Sequence, residues 1–132
     1  MGGLSSEGDT GPMALTVLVV DDDPAFRRVV VRLLRLRGLQ VVAAVGDGES
    51  ALAAERRHRP DGVLLDVNLP DHNGICITRT MTALPDAPTV VLTSTDAGYA
   101  DGDLDGCGAR AFVRKDQLPQ ADLHSLFSAA GT

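Results

Sequence analysis

Short, continuous apolar runs alternate along the chain with longer segments in which apolar residues recur every three or four positions. Runs of four to six residues rich in Val and Leu are typical of strands buried on both faces, and the longer segments are typical of amphipathic helices. Gly and Pro residues bound the short runs, which favours strands over buried helical segments. The predicted strands are Thr16–Val20, Gln40–Val45, Gly62–Asp66, Thr89–Thr93 and Ala111–Arg114.

The helical segments lie between and after these strands. The predicted helices are Pro24–Arg37, Glu49–Arg59, Gly74–Leu84 and residues 120–130. Residues 97–108 are rich in Gly and Asp, so the helix expected between the fourth and fifth strands is short or frayed. Strict alternation of strand and helix predicts an α/β fold, a doubly wound, five-stranded parallel sheet, and short right-handed crossovers favour the strand order 2-1-3-4-5.

Composition bounds the domain count and the partners. The 132 residues suffice for one domain, which we place at residues 15–132. Residues 1–14 have almost nothing to bury, and we interpret them as a disordered head or a remnant of cloning. The net charge of -6 disfavours direct binding of nucleic acid or an anionic membrane. No apolar run approaches the ~20 residues of a membrane span, so we expect a cytoplasmic protein.

The two cysteines, Cys76 and Cys107, have no spacing typical of a metal site or a disulfide framework. We interpret both as small buried hydrophobic residues.

Carboxylates follow the first and third predicted strands. Asp21, Asp22 and Asp23 come directly after the first apolar run, and Asp66 comes directly after Val63–Leu65. Ligands of doubly wound sheets bind at the carboxyl ends of the strands, so these groups are expected to meet in one crevice. Converging carboxylates repel one another unless a cation neutralises them, and hard oxygen ligands suit Mg²⁺. Taken alone, the acidic triplet is better explained as an N-terminal helix cap, but Asp66 precedes a loop and has no helix to cap.

Two further polar residues end predicted strands. Thr93 ends the fourth strand, and Lys115, the single lysine among twelve basic residues, follows the fifth. Each has an ordinary explanation alone, as a β-strand Thr or an exposed loop Lys. Together with the carboxylates they provide a cation site, a hydroxyl donor and an ammonium, which is the chemistry of phosphoryl transfer.

With these residues in place, the chain resembles the receiver domain of two-component response regulators. The resemblance covers residues 15–130 and rests on the motifs VLVVDDDP, DGVLLDVNLPDHNG, VVLTS and GARAFVRK. The spacings also match, with 44 positions from Asp22 to Asp66, 27 from there to Thr93 and 22 more to Lys115. The resemblance implies a flavodoxin-like receiver fold.

The resemblance also implies a role for each matching residue. Asp66 would accept a phosphoryl group, and Lys115 and Thr93 would contact its oxygens. Phe112 would be the switch aromatic. Besides Asp66, the ligands of Mg²⁺ would be Asp22 directly, Asp21 through water and the backbone carbonyl of Asn68. Asp23 would only cap a helix, and Asp116 stands where many receivers have a proline.

The implied partners are a sensor histidine kinase or phosphotransfer protein and a downstream protein target or output domain, with a homodimer as one form of the phosphorylated state. Such a domain assists its own phosphorylation and dephosphorylation but is not a metabolic enzyme. Because the sequence ends soon after the last helix, we expect a single-domain receiver. The alternatives are the excised receiver of a DNA-binding transcriptional regulator, a docking module that is not phosphorylated, and an aspartyl-phosphate phosphohydrolase using the DxD motif of Asp21 and Asp23.

Overall fold

The computed structural model describes residues 14–95 and 107–128. Nearly all of the predicted head, residues 1–13, lies outside these ranges. The weak helix predicted within residues 97–108 also lies outside them, except for its last two residues. Within the described ranges no helix is long and apolar enough to span a membrane.

Five parallel strands form one sheet in the order β2-β1-β3-β4-β5, as predicted. The central strands β3 and β4 are buried along their whole length, because helices cover both faces of the sheet. The strands are β1 (Thr16–Val20), β2 (Gln40–Val45), β3 (Gly62–Asp66), β4 (Thr89–Ser94) and β5 (Ala111–Arg114).

Side-chain caps fix where the first three helices begin. Asp23, Asp47 and Asn73 stand before them in extended backbone, and each side chain accepts a hydrogen bond from a first-turn N–H group. Gly38 follows the first helix with a φ of 84°, a left-handed conformation that suits glycine at a helix end. These helices are α1 (Pro24–Leu36), α2 (Gly48–His58) and α3 (Gly74–Thr82).

The C-terminal segment differs from the prediction of one helix from residue 120. A 3₁₀ helix spans Lys115–Gln120, and the α-helix α4 (Leu123–Ser128) begins three residues later than predicted. Pro119 has no N–H group for a helical hydrogen bond, and Ala121 is extended. Asp122 then accepts a hydrogen bond from Ser125 N at 3.2 Å and so caps α4.

Apolar side chains pack on both faces of the sheet. One layer joins α2 and α3 to alternate residues of the central strands, and the other joins α1, the 3₁₀ helix and α4 to the residues between them. Cys107 is buried in the first layer, as predicted. The prediction for Cys76 is wrong, because this residue lies on the outer side of α3 and is exposed. The two layers hold the strands parallel, so their carboxyl ends meet at one edge.

Candidate functional site

The polar residues predicted at the strand ends do come together at the carboxyl edge of the sheet. Asp21 directly follows β1, and Asp66 ends the neighbouring strand β3. Thr93 of β4 is the register partner of Asp66, and Lys115 directly follows β5. Four strands therefore deliver these side chains to one place, although almost 100 residues separate the first from the last.

The ammonium of Lys115 joins the two buried carboxylates. Its Nζ lies 2.5 Å from Asp21 Oδ2 and 3.3 Å from Asp66 Oδ2. The exposed fractions of the three side chains are 11% for the lysine, 1% for Asp21 and 5% for Asp66. Ion pairs this well shielded from water are screened far less than surface pairs, so each carboxylate depends strongly on the lysine for compensation.

The two remaining carboxylate oxygens accept backbone N–H groups. Asp21 Oδ1 accepts from Asp23 N at 2.8 Å, and Asp66 Oδ1 accepts from Asn68 N at 3.0 Å. These bonds orient both carboxylates at the point where each strand turns away from the sheet. Lys115 and Asn68 are therefore direct partners of Asp66, and neither contact requires another molecule.

Burial raises the pKa of Asp66, and the neighbouring charge of Asp21 raises it further. The Asn68 N–H group and Lys115 lower the pKa of Asp66, but these effects are smaller together. For Lys115, burial lowers the pKa, yet the hydrogen bond to Asp21 and the charges of both carboxylates outweigh burial, so its pKa is raised. The site therefore stabilises the charged form of Lys115 and destabilises the charged form of Asp66.

The donor set at this edge fits a small, hard cation. One carboxylate oxygen each from Asp21, Asp22 and Asp66 lies within 4.8 Å of the other two. Oxygens bound to Mg²⁺ at 2.0–2.1 Å on opposite sides of the ion are about 4.2 Å apart, so small adjustments suffice. Asp22 is exposed, and its side chain forms no ion pair or hydrogen bond within the described ranges, which leaves its oxygens available.

A tight loop follows Asp66 and shapes one side of the site. Asn68 and Asn73 form an isolated bridge across this loop, and Gly74 N donates to Val67 O at 2.7 Å. A Cβ at Gly74 would lie 2.5 Å from the Asp66 carbonyl oxygen, a backbone atom that has no room to withdraw. Glycine is therefore required where α3 begins, and this close approach fixes the loop beside the carboxylate.

Within the described ranges, the hydroxyl of Thr93 is a buried, unsatisfied polar group at this edge of the sheet. Thr93 is buried, and its Oγ1 has no hydrogen-bond partner among the residues that the structure describes. A buried hydroxyl without a partner is costly, so it indicates a group that a ligand can satisfy. Phe112 of β5 is half-buried, pairs in register with Leu92 and packs against the core layer of α2 and α3.

The model of the family described as "Response regulator receiver domain" matches residues 17–127 of this chain. The chain belongs to this family. The sheet order predicted for the receiver fold is confirmed by similar solved structures. The signal receiver domain of the response regulator NarL from Mycobacterium tuberculosis has a TM-score of 0.80 and 31% identity, covering 91% of this chain and 98% of that one.

Two curated relatives are regulators of transcription or bind DNA. The transcriptional regulatory protein TcrX of Mycobacterium tuberculosis is 46% identical over 84 residues, or 63% of this chain and 36% of its own length. The DNA-binding response regulator MtrA of Mycolicibacterium smegmatis is 45% identical over 82 residues, or 62% of this chain and 36% of its own length. This receiver thus aligns with little more than a third of either protein.

Sequence reasoning missed the contact of Phe26 with Lys115 in this receiver. The ring centroid of Phe26 lies 4.4 Å from Lys115 Nζ, a cation–π arrangement beside the two carboxylates. Phe26 belongs to α1, and its place in the predicted helix gave it no role at the site. No sequence signal identifies a partner that is 89 positions away.

The loop of this receiver is also tied to α2, which the sequence analysis did not anticipate. The Asp71 carboxylate accepts N–H groups of Gly48 at 2.7 Å and Glu49 at 3.1 Å. These bonds, above all the one from Gly48, lower the pKa of Asp71. His72 Nε2 lies 3.1 Å from Glu49 Oε2, so two consecutive loop residues contact the start of the helix.

Proposed function

We propose that this receiver accepts a phosphoryl group on Asp66 from the phosphohistidine of a sensor kinase or phosphotransfer protein. The observation that carries the proposal is the position of Lys115 Nζ, 3.3 Å from Asp66 Oδ2 and 2.5 Å from a second buried carboxylate, that of Asp21. A structural ion pair needs one carboxylate for one ammonium. Two carboxylates around a single ammonium leave an excess negative charge, which a cation and a phosphoryl acceptor would use.

In the proposed reaction an Asp66 oxygen attacks phosphorus while the P–N bond to the donor imidazole breaks. The bonding electrons stay with the imidazole nitrogen, and the product is an acyl phosphate on the aspartate. Lys115 pairs with one phosphoryl oxygen, and the Thr93 hydroxyl donates to another. Because Lys115 already lies 3.3 Å from Asp66, its charge needs little reorganisation to meet the phosphoryl group.

Mg²⁺ is the proposed cofactor. Asp22 would bind it directly because its side chain is exposed and otherwise unengaged. Asp21 would act through water, since one of its oxygens accepts a backbone N–H and the other pairs with Lys115. Asp66 and the Asn68 carbonyl complete the protein ligands. When bound, the ion would neutralise carboxylate and phosphoryl charge, which otherwise oppose the approach of the donor.

Phosphorylation is proposed to shift an equilibrium between two conformations of the domain that differ in their binding surface. The Thr93 hydroxyl, once engaged with a phosphoryl oxygen, would draw β4 toward the site, and Phe112 on the adjacent strand β5 would reorient. Thr93 pairs in register with Val113, the residue that follows Phe112, so Thr93 and Phe112 are close neighbours on adjacent strands. The altered surface would bind a downstream protein or output domain, or a second copy of the chain.

The test is incorporation of one phosphoryl group from acetyl phosphate with Mg²⁺, followed by intact-protein mass spectrometry. We expect incorporation by the parent and by Asp23→Asn, and none by Asp66→Asn. Asp23 is the matched control, since it is an aspartate of the same edge whose side chain caps α1. Incorporation by Asp66→Asn equal to that of the parent would refute the assignment.

An Asp21→Asn variant, compared with Asp66→Asn, and a Mg²⁺ titration separate the two remaining alternatives. Turnover of a generic phosphomonoester that depends on Asp21 rather than Asp66 would indicate a phosphohydrolase. Absence of both phosphorylation and Mg²⁺ binding near Asp22, measured by NMR titration, would indicate a docking module.

A second candidate exists for how this receiver passes on its signal, namely through a DNA-binding domain. TcrX is named a transcriptional regulatory protein and MtrA a DNA-binding response regulator, and each is almost three times as long as the aligned region. These relatives favour a receiver that regulates transcription, whereas our sequence expectation is a single-domain receiver. Sequencing the codons that follow Thr132 in the genome distinguishes them, because a DNA-binding domain would be encoded there.

A further inference from the structure

The Lys115 side chain borders a pair of buried carboxylates and also a cavity. On its inner side are the carboxylates of Asp21 and Asp66, at 2.5 Å and 3.3 Å. Lys115 also lines a cavity of about 330 Å³, here called the outer cavity, together with Asp23, Phe26, Thr95 and Asp116. A flexible lysine side chain can in principle place its charge in either direction.

The outer cavity contains carboxylates that compete for the lysine. Asp116 is exposed and pairs with Arg114 at 2.9 Å, and Asp23 is exposed with one oxygen accepting from Ala25 N. Both groups are solvated, so binding an ammonium there requires less desolvation than binding it inside. The two inner carboxylates favour the inner position, and a further contact with the ammonium itself would add to their effect.

Phe26 contacts the ammonium and also lines the outer cavity. Its ring centroid lies 4.4 Å from Lys115 Nζ, and the ring lines the same cavity as the two competing carboxylates. The ring itself is held in place because it packs against the core layer under α1. A fixed ring offers its π face to the ammonium at a constant position and so stabilises the ammonium where it lies.

We propose that Phe26 is a positioning residue, which holds the Lys115 ammonium at Asp66 and away from the outer cavity. The inference rests on the proposed phosphoacceptor function and adds a residue to it. Phe26 makes no contact with the phosphoryl group in this proposal and acts only through the lysine. The ring thereby keeps the ammonium available for the moment when a phosphoryl group arrives.

The lone lysine permits a direct test of the position in the unphosphorylated protein. Selective ¹³C,¹⁵N-lysine labelling gives a single Lys115 side-chain spin system, because the chain contains no other lysine. We expect Lys115 Hε signals shifted upfield by the ring, with nuclear Overhauser contacts to the Phe26 ring protons. Phe26→Tyr should keep the upfield shift and Phe26→Leu should lose it. Unshifted signals without ring contacts in the parent protein would overturn the proposal.

The second measurement is affinity for beryllofluoride with Mg²⁺, by isothermal titration calorimetry. A desolvated cation–π contact corresponds to a loss of about threefold to thirtyfold for Phe26→Leu, and Phe26→Tyr should stay within about twofold of the parent. Leu33→Ala is the control, since Leu33 packs against the same core layer from α1. It should also stay within about twofold, because it removes apolar volume without touching the lysine.

The two proposals fail in different ways. If the parent and Asp66→Asn both fail to bind beryllofluoride, the phosphoacceptor function is wrong, and the lysine spectrum still decides the role of Phe26. If the parent binds and Phe26→Leu binds equally well, the phosphoacceptor function stands and the positioning role is wrong. An equal loss in Phe26→Leu and Leu33→Ala would assign the effect to core packing and would also overturn it.

Discussion

Replacing Lys115 with methionine tests how much the buried carboxylates depend on their shared ammonium. Methionine keeps the unbranched apolar stem, so the change removes the charge while leaving little empty volume. At an effective dielectric constant of about 20, pairs at 2.5 Å and 3.3 Å are worth about 7 and about 5 kcal/mol before the desolvation of the ammonium is subtracted. Measured losses on removing one partner of a buried pair are about 3–5 kcal/mol.

Protonation of Asp66 sets an upper limit to the loss of unfolding free energy in Lys115→Met. When the lysine is gone, Asp66 can bind a proton and so lose its uncompensated charge. For a carboxyl with an ordinary pKa of 3.8, protonation at pH 7 costs about 4.4 kcal/mol, at 1.36 kcal/mol per pH unit. The same step at pH 5 costs only about 1.6 kcal/mol. We therefore expect Lys115→Met to lose about 3–4 kcal/mol at neutral pH and less than about 2 kcal/mol near pH 5.

The sign of the pH dependence follows from linkage. Removing Lys115 takes away an influence that lowers the pKa of Asp66, so the pKa in the folded variant rises further above its unfolded value. A raised carboxyl pKa costs nothing below the unfolded pKa, and the penalty grows as pH rises toward the folded pKa. The variant should therefore lose stability, relative to the parent, as the pH increases from about 4 to about 7.

The assay is urea unfolding followed by far-UV circular dichroism in Mg²⁺-free buffer at acidic and neutral pH. The double variant Lys115→Met with Asp66→Asn should recover most of the loss, because one of the two unpaired charges is gone. A loss of stability that is the same at both pH values, or that the double variant does not reduce, would show that the lysine acts through packing alone.

Three further predictions concern the loop and the lysine. Asp71→Ala removes the acceptor for two N–H groups of α2 and should lower the urea midpoint at neutral pH; because the folded pKa is lowered, the difference from the parent should shrink as pH falls through it. Gly74→Ala places a Cβ 2.5 Å from the Asp66 carbonyl oxygen and should cost about 1–3 kcal/mol and weaken beryllofluoride binding. Gly46→Ala, which meets mainly a flexible arginine side chain, should do neither. Lys115→Arg should fold but bind beryllofluoride more weakly by calorimetry, and unchanged affinity would contradict the need for an ammonium.

The sheet was predictable because each strand is short, apolar and bounded by Gly, Pro or Asp. The predicted bounds of β1, β2, β3 and β5 are those of the structure, and β4 is one residue longer. The last helix was predicted too early because Leu123, Leu126 and Phe127 fix its apolar face but not its start. Pro119 and the Asp122 cap decide the start, and both are local features that periodicity does not weigh.

The convergence of the site was predictable for a different reason. Residues at the carboxyl ends of parallel strands must meet at one edge, so Asp21, Asp66, Thr93 and Lys115 could be placed together from strand order alone. The contact of Phe26 with the lysine could not, since it depends on how a long side chain crosses from β5 to α1. The tie between Asp71 and α2 likewise joins residues without periodic spacing.

The geometry explains why this position has the chain's one lysine although every other basic residue is arginine. The Lys115 nitrogen must contact two carboxylates and a ring face at once, at 2.5, 3.3 and 4.4 Å in three directions. An ammonium directs its three N–H groups around a single atom, and in the proposed reaction it would pivot from a carboxylate to a phosphoryl oxygen. A guanidinium is longer and planar, and its donors lie in one plane that cannot face Asp21, Asp66 and Phe26 together. We therefore expect the site to require a compact charge at this position, which is what the Lys115→Arg variant tests.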